Sequence, residues 1–256
     1  MLLDALKTAA LEKAAAVQVT DVRIGLGYTA VLLDTGSVGL AYTFRDRAGQ
    51  GCSVFYGTRP LAGTPVREIL HYISSDGLLE RTLGLAAANA LFNTANAAGG
   101  LPGCSSAEGD LLDVLALTKD DRVGMVGFFG PLVPIIKQRA GELLIFEENM
   151  ARSDGLCPGS SAAELLPSCS VVIITATAIL NKSFEHIAAA ADKCRIKAVL
   201  GPSTPLAPSV FRDYGVTHLS GVIVTDPAAI LRVVSEAGGM RFFKGATKKI
   251  NFILNN

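Results

Sequence analysis

The sequence predicts an α/β protein in two parts, a small α+β unit followed by a Rossmann-like domain built on a parallel sheet. Three observations carry that prediction. The stretch Arg122-Val-Gly-Met-Val-Gly-Phe-Phe-Gly-Pro-Leu-Val-Pro134 runs from a short apolar segment through glycines into a proline-started helix, and Glu142-Leu-Leu-Ile-Phe-Glu-Glu148 follows as a second apolar segment. That is the pattern of a β-α-β unit with a ligand-facing turn after its first strand. The apolar segments beyond residue 105 are continuous Val/Ile/Leu runs rather than alternating ones, as a sheet covered on both faces requires. Between the two parts lies Gly99-Gly-Leu-Pro-Gly-Cys-Ser-Ser106, the densest cluster of turn formers in the chain. It divides the sequence into domains 1–104 and 105–256.

Each element has its own signal. Residues 1–16 are alanine-rich with Leu3, Leu6 and Leu11 at helical spacing. From Val19 to Phe44 the pattern turns to strands, with Asp34-Thr-Gly-Ser37 supplying hairpin chemistry between two of them. Residues 45–57 read as a long surface loop. Thr64-Pro65 starts a helix as N-cap and first helical residue, and a longer helix covers 77–98. Beyond the boundary, helix 110–117 leads to strand 123–126, helix 133–139 and strand 143–146. Then come strand 171–175, helix 183–191, strand 198–200, a short helix near 208–214, strand 221–225 and helix 227–237. Asp226-Pro227 again provides an N-cap and a first-position proline.

Composition excludes several classes. The chain has 256 residues, with 23 Lys+Arg against 23 Asp+Glu, and only 6% are aromatic, so the cationic footprint of a nucleic-acid binder is missing. Mean hydropathy is +0.40, yet no run reaches the ~18 apolar residues of a membrane span; residues 171–180 are interrupted by Thr175 and Thr177. Asp4, Lys7, Glu12 and Lys13 break up the start of the chain, unlike a signal peptide, so a cytoplasmic protein without membrane contact is expected. Cys52, Cys104, Cys157, Cys169 and Cys194 are scattered with no C-x-x-C pair, which favours reduced thiols. His71, His186 and His218 are not spaced with them as metal ligands, so no metal site is expected. Oligomeric state is left open, a homo-oligomer included.

The candidate site residues follow from the strand ends. The turn Gly127, Phe128, Gly130, Pro131 exposes helix-start N–H groups, which favour an anion or a polar ligand group. It departs from G-x-G-x-x-G: Phe129 or Met125 stands where a dinucleotide fingerprint needs glycine, which disfavours NAD and FAD. The same glycines would also serve close helix–sheet packing alone. Glu147, 20 residues after Gly127, is placed to accept hydrogen bonds from a ribose or another diol, or to form a solvated acidic pair with Glu148. Thr175, Thr177 and Asn181, and Gly201, Ser203 and Thr204 in Gly201-Pro-Ser-Thr-Pro205, follow buried strands at their carboxyl ends, where open α/β sheets hold ligands. Turn formation is their alternative role. Asn89, Asn93 and Asn96 share one helix face, read either as an amide surface at the domain junction or as a solvent-facing stripe. Arg45, Arg47, Cys52, Tyr56 and Arg59 lie on or beside the long loop, which reads as a charged surface loop or as a holder of anionic substrate.

With those residues in place, the chain resembles a prokaryotic family. Its Rossmann-like C-terminal part is described as a putative heavy-metal chelation domain, and its N-terminal part is similar to the enolase N-terminal fold. The resemblance rests on Gly124-Met-Val-Gly-Phe-Phe-Gly-Pro131, Thr175-Ala-Thr-Ala-Ile-Leu-Asn181, Leu200-Gly-Pro-Ser-Thr-Pro-Leu206 and Gly84-Leu-Ala-Ala-Ala-Asn-Ala90, and covers nearly the whole chain. It implies a site between the two domains, with a partial likeness to methyltransferase-type Rossmann folds. It does not imply enolase chemistry, which uses Mg²⁺ carboxylates and a base on a barrel. The expected function is small-molecule binding in an interdomain cleft, with or without catalysis, on a metal chelator or a pterin- or flavin-like precursor. A methyltransferase using S-adenosylmethionine and a non-catalytic carrier of a metal or metallochelate are the alternatives, and no cofactor is assigned.

Overall fold

The computed structural model describes residues 1–47, 49, 53–97, 103–152 and 154–254. Helix α1 (Leu2–Leu11) buries Leu2, Leu3, Leu6 and Ala10 on one face, as its leucine spacing dictates. Strands β1 (Val19–Ile24), β2 (Tyr28–Leu33) and β3 (Val38–Tyr42) form an antiparallel meander in that order. The β2–β3 turn is the Asp34–Ser37 segment, closed by the Leu33 N–H on the Ser37 carbonyl, with Gly36 at positive φ. Helix α2 (Val66–Leu70) starts one residue later than expected: Pro65 is the N-cap, and the Thr64 hydroxyl donates to the Pro60 carbonyl instead of capping. Helix α3 (Leu78–Ala97) closes the first unit, its Leu83–Leu91 segment buried throughout, with Asn89 the one polar side chain in it.

The second unit is an eight-stranded sheet. Strand β4 (Cys104–Glu108) precedes α4 (Leu111–Val114), β5 (Arg122–Val126), α5 (Val133–Arg139) and β6 (Glu142–Glu147). Then come β7 (Cys157–Pro158), α6 (Ala162–Leu165), β8 (Val171–Thr175), α7 (Thr177–Leu180) and α8 (Phe184–Ala190). The chain ends through β9 (Ile196–Leu200), α9 (Pro208–Arg212), β10 (His218–Val224), α10 (Pro227–Ser235) and β11 (Thr247–Leu254). Sheet order is β4-β11-β10-β9-β8-β5-β6-β7.

The six strands from β10 to β7 are mutually parallel, whereas β11 and β4 join antiparallel at one side. The sheet is therefore mixed, where the sequence predicts a parallel one. Strands β4, β7 and β11 are also absent from that prediction. Cys-Ser-Ser-Ala-Glu carries little strand propensity and sits among turn formers, and Thr-Lys-Lys-Ile-Asn alternates too weakly to stand out. The expected helix 110–117 is only four residues long, set by an Asp110/Asp113 capping box and ended when Leu115 turns extended.

The continuous apolar strands face two cores. Val171 and Ile173 pack with α4 and α5 on one side, while Val172 and Ile174 pack on the other with Leu166, Phe184 and Phe211. The two units also interlock. Helix α1 reaches across to α8, where the Leu2 N–H donates to Glu185 (2.7 Å), and α10 contributes Ile230 and Val234 to a core shared with Ala30, Val38 and Leu40 of the small sheet.

Beneath the strand ends, Asp121 pins three neighbouring strands at their starts. Its carboxylate accepts from the Thr118 N–H (2.8 Å), the Ser170 hydroxyl (2.7 Å) and the Arg195 guanidinium (2.6 and 3.1 Å). Burial pushes this carboxyl up, but the bonds from Arg195, Ser170 and Thr118 together outweigh it and hold it well below the usual carboxylate range.

At the junction, β3 turns its unpaired edge toward α3. The Asn93 amide donates to the Val38 carbonyl (3.1 Å), the Asn89 amide to Leu40 (2.8 Å) and the Thr82 hydroxyl to Tyr42 (3.3 Å). Four helical residues rise about 6 Å and two strand residues about 6.7 Å, so side chains at i and i+4 meet alternate carbonyls of a strand. Gly39 permits this approach, because a Cβ there would overlap the backbone of Ala86 and Ala90. For Asn89 and Asn93 the asparagine face is thus the amide surface at the domain junction and not a solvent-facing stripe; the Asn96 side chain lies outside the described residues.

Two outcomes are expected. Asn89→Ala strands two buried carbonyls, Leu40 and Ser203, and should cost about 1–3 kcal/mol in urea unfolding, more than Asn93→Ala, which strands one. The depressed Asp121 carboxyl stabilises the fold fully above its unfolded value of about 3.9, and that contribution fades as pH falls below it. Asp121→Asn should therefore lower the melting temperature at neutral pH and flatten the acid limb of a melting-temperature profile.

Candidate functional site

The strand order reverses between β5 and β8: the chain moves outward from β5 to β6 and β7, then returns to β8 on the other side. Helices after such neighbours leave toward opposite faces, which opens a crevice at the carboxyl ends of the strands. A cleft of about 830 Å³ occupies that place. Its floor comes from the ends of β5, β6 and β8, and its opposite wall from the small sheet.

On the floor, the turn after β5 is fastened to the end of β6. The Gly127 N–H donates to the Phe146 carbonyl (2.8 Å) and the Phe128 N–H to Glu147 Oε2 (3.1 Å). Gly127 has φ +90°, and a Cβ there would come within 2.9 Å of Thr175, so both backbone and neighbour demand glycine. Glu147 Oε1 accepts the N–H groups of Glu148 (2.8 Å) and Asn149 (3.2 Å). Its carboxylate is thereby a fastener between two turns as well as a wall of the cleft. After β8, the Thr175 and Thr177 hydroxyls are hydrogen-bonded to each other (2.9 Å), and Asn181 Oδ1 accepts from the Ser183 N–H and hydroxyl (3.1 and 2.7 Å).

The opposite wall is aromatic. Tyr28, Tyr42 and Phe44 line the cleft and form an edge-to-face series with Phe243, with ring centroids 5.1, 5.8 and 5.0 Å apart. Burial, with the neighbouring Tyr42 second, pushes the Tyr28 phenol far up, so it stays an uncharged donor. Arg47 places its guanidinium 5.5 Å over the Phe44 ring and pairs with Glu148 across the mouth.

Six of the twelve sequence candidates meet here: Gly127, Phe128, Glu147, Thr175, Thr177 and Asn181 all line the cleft. Gly130 and Pro131 lie one turn further on, in the 3-10 turn Gly130–Leu132 that leads into α5, and Gly130 backs the Phe128 ring. Gly201, Ser203 and Thr204 follow β9 at the junction with Asn89. There the Ser203 hydroxyl accepts the Tyr42 N–H (2.8 Å) and its carbonyl accepts the Asn89 amide (3.1 Å). None of these four lines the cleft; Ser203 and Asn89 join the two units. Cys52 lies outside the described residues, and Arg59 stacks on Phe55 away from the cleft.

Tyr28, Tyr42, Phe44, Glu148 and His186 also line the cleft and are missing from the sequence candidates, while Arg47, from the loop weighed as a holder of anionic substrate, lines it too. A signal exists for two of them: the Asp34–Ser37 hairpin fixes a register in which Tyr28 opposes Tyr42. Strand aromatics read first as core, and only the docking of the second unit shows which ones border a void.

The described side chains do not fit a resident metal. Among the described residues no group of three or more His, Cys, Asp or Glu could hold an ion. Burial raises the Cys169 thiol and pushes Cys194 up to about 11, which keeps both protonated and poor as ligands. No helix among the described residues is long and apolar enough to cross a membrane.

Fold and cleft together define an α/β class of protein in which a Rossmann-like sheet is capped by a small α+β unit, with a cleft between the two. The chain belongs to a family described as putative heavy-metal chelation: one model with that description matches residues 110–253 and a second matches residues 7–92. It is similar to an uncharacterized protein of Methanocaldococcus jannaschii, 28% identical over 267 residues, covering 97% of this chain and 96% of that one. A crystal structure of a DUF364 family protein of unknown function from Pyrococcus horikoshii superposes with TM-score 0.85 at 24% identity, covering 99% and 100% of the two chains. Another of the same family, from Desulfitobacterium hafniense, superposes with TM-score 0.81 at 25% identity, covering 98% and 97%. The enolase-N-terminal-like plus Rossmann-like architecture is that of these relatives.

Glu147→Ala removes the acceptor of three N–H groups, those of Phe128, Glu148 and Asn149. Hydrogen bonds to a charged group contribute about 1.5–3 kcal/mol, so amide exchange at these positions should quicken about tenfold or more. Unchanged exchange would show that the carboxylate does not fasten the turns.

Proposed function

We propose that the protein binds a small organic molecule in the interdomain cleft and takes part in heavy-metal handling through that molecule. The ligand is a chelator, its metal complex, or a pterin- or flavin-like precursor. One observation carries this reading: the cleft lies at the strand-order reversal between β5 and β8 and is walled by both units. Its volume of about 830 Å³ falls in the range of small-molecule sites and far exceeds what a bare ion needs. The family description supplies the link to heavy metals. The lack of a three-donor cluster among the described residues supports assigning the metal to the ligand rather than to protein side chains.

In this reading Gly127 and Phe128 form the ligand turn, the aromatic wall covers a flat face, and Thr175, Thr177 and Asn181 orient polar edges. Glu147 presents its carboxylate from a fixed position. Gly130, Pro131, Gly201, Ser203, Thr204 and Asn89 act on the ligand indirectly, by holding the turn and the junction in place. Binding without a defined reaction is the activity proposed.

Isothermal titration against an aromatic chelator, its metal complex, a pterin, a flavin, S-adenosylhomocysteine and free metal ions is the test. At least one of the first four should bind, and Phe44→Ala and Thr177→Val should each weaken it by about tenfold. Binding of S-adenosylhomocysteine with the others silent would replace this reading by methyl transfer. Stoichiometric metal that survives dialysis would replace it by direct metal carriage.

A further inference from the structure

The aromatic wall of the cleft carries two phenols with nothing to bond. Of the five tyrosines, Tyr72 accepts the Thr58 N–H (3.0 Å) and Tyr214 donates to Glu185 (3.0 Å), while Tyr56 stands in solvent. Tyr28 and Tyr42 line the cleft, half-buried, and neither hydroxyl has a hydrogen-bond partner among the described residues. Each keeps a donor for what enters the cleft. The register brings the two together: Tyr28 directly opposes Tyr42 between β2 and β3, so both side chains leave the sheet on one face. Their rings meet edge to face with centroids 5.8 Å apart. Both are held there. The Tyr42 backbone is bonded on each side, its N–H to the Ser203 hydroxyl and its carbonyl to the Thr82 hydroxyl. The Tyr28 ring packs between Tyr42 and Phe243, and burial holds its hydroxyl protonated far above the usual phenol range.

Resting on the cleft reading above, we infer that Tyr28 and Tyr42 form a two-donor subsite for an exocyclic oxo oxygen on a flat ring, a lactam or a ring ketone. A carbonyl oxygen has two lone pairs and can accept from both phenols, whereas a ring nitrogen has one lone pair and an amino group presents donors. A phenol is also a better donor than acceptor, because its oxygen lone pair is drawn into the ring. Donors fixed before binding lose little freedom when the ligand arrives. Phe44, next in the same aromatic series, offers a face to the ring that bears the oxygen. The oxo edge of the ligand therefore turns toward the small sheet, and its opposite edge toward the Thr175 and Thr177 hydroxyls on the floor.

A matched pair of flat probes tests this by isothermal titration at a pH where both are uncharged. They are 4-quinazolinone and 4-aminoquinazoline, which differ only in an amino group replacing the oxo oxygen. The quinazolinone should bind about tenfold more tightly. Tyr28→Phe and Tyr42→Phe should each weaken it several-fold while leaving the amino compound nearly unchanged. Both variants keep the ring and its packing, so the parent melting temperature should be retained. Infrared difference spectra of the complex should show the quinazolinone carbonyl stretch lowered in the parent protein and raised again in each variant, a shift that a purely structural role of the rings would not produce. Equal binding of the two probes, or Phe variants with the parent affinity and carbonyl frequency, overturns the subsite while leaving the cleft reading intact. Silence of the quinazolinone beside binding of any chelate, pterin or flavin does the same. If that wider panel is silent too, the cleft reading falls with it.

Discussion

The capture of one strand edge by one helix is the contact on which the rest of the molecule depends. Strand β3 leaves its outer carbonyls unpaired, and an exposed edge of this kind is costly when buried and hazardous when bare. Asn93, Asn89 and Thr82 of α3 satisfy those carbonyls in succession. Asn89 then extends the same bonding to the Ser203 carbonyl, while the Ser203 hydroxyl takes the Tyr42 N–H. A helix packed on a strand edge thereby becomes a fixed joint between two units. Arg81 adds a second tie, donating from α3 to the Leu180 carbonyl at the end of α7.

That joint determines what faces the strand ends of the larger sheet. Reversal of strand order makes a crevice in any sheet of this kind, but a crevice open to solvent is a weak site. Here the small sheet is held over it with its aromatic face inward, so the void acquires a wall of Tyr28, Tyr42 and Phe44 opposite the Gly127–Phe128 turn and the Thr175–Thr177 hydroxyls. The same residues that rigidify the junction, Asn89 and Ser203, are the reason that the aromatic wall sits at a defined height. They shape the cleft without entering it.

Among the described residues, the chemistry of the cleft lining is not that of a resident-metal site. A resident ion requires several donors converging within coordination distance, and no such convergence exists among the described residues. Aromatic faces, hydroxyls and a few carboxylates line the cleft instead. The proposed function reconciles the family description with this donor set by placing the metal on the ligand.

Much of the fold is legible in the chain because its local signals are strong. Val171–Thr175 reads as a strand from its β-branched run, the Asp226-Pro227 pair starts α10 with the Asp226 side chain on the Ala229 N–H, and Gly127 is required by its turn. The lining residues Gly127, Phe128, Glu147, Thr175 and Thr177 stand at or just past strand ends, with Asn181 closing the short helix that follows β8, where period and turn chemistry locate them without coordinates. Strands β4 and β11 are not legible, because their weak propensities are overridden by pairing partners far away in sequence. Nor is the division of labour between Thr177 in the cleft and Ser203 at the junction, since both follow buried strands and carry a hydroxyl. Local sequence determined the elements and their turns through propensity and periodicity. Only tertiary structure decided which strand ends share a void, because that depends on sheet order and on which edge the α3 asparagines capture.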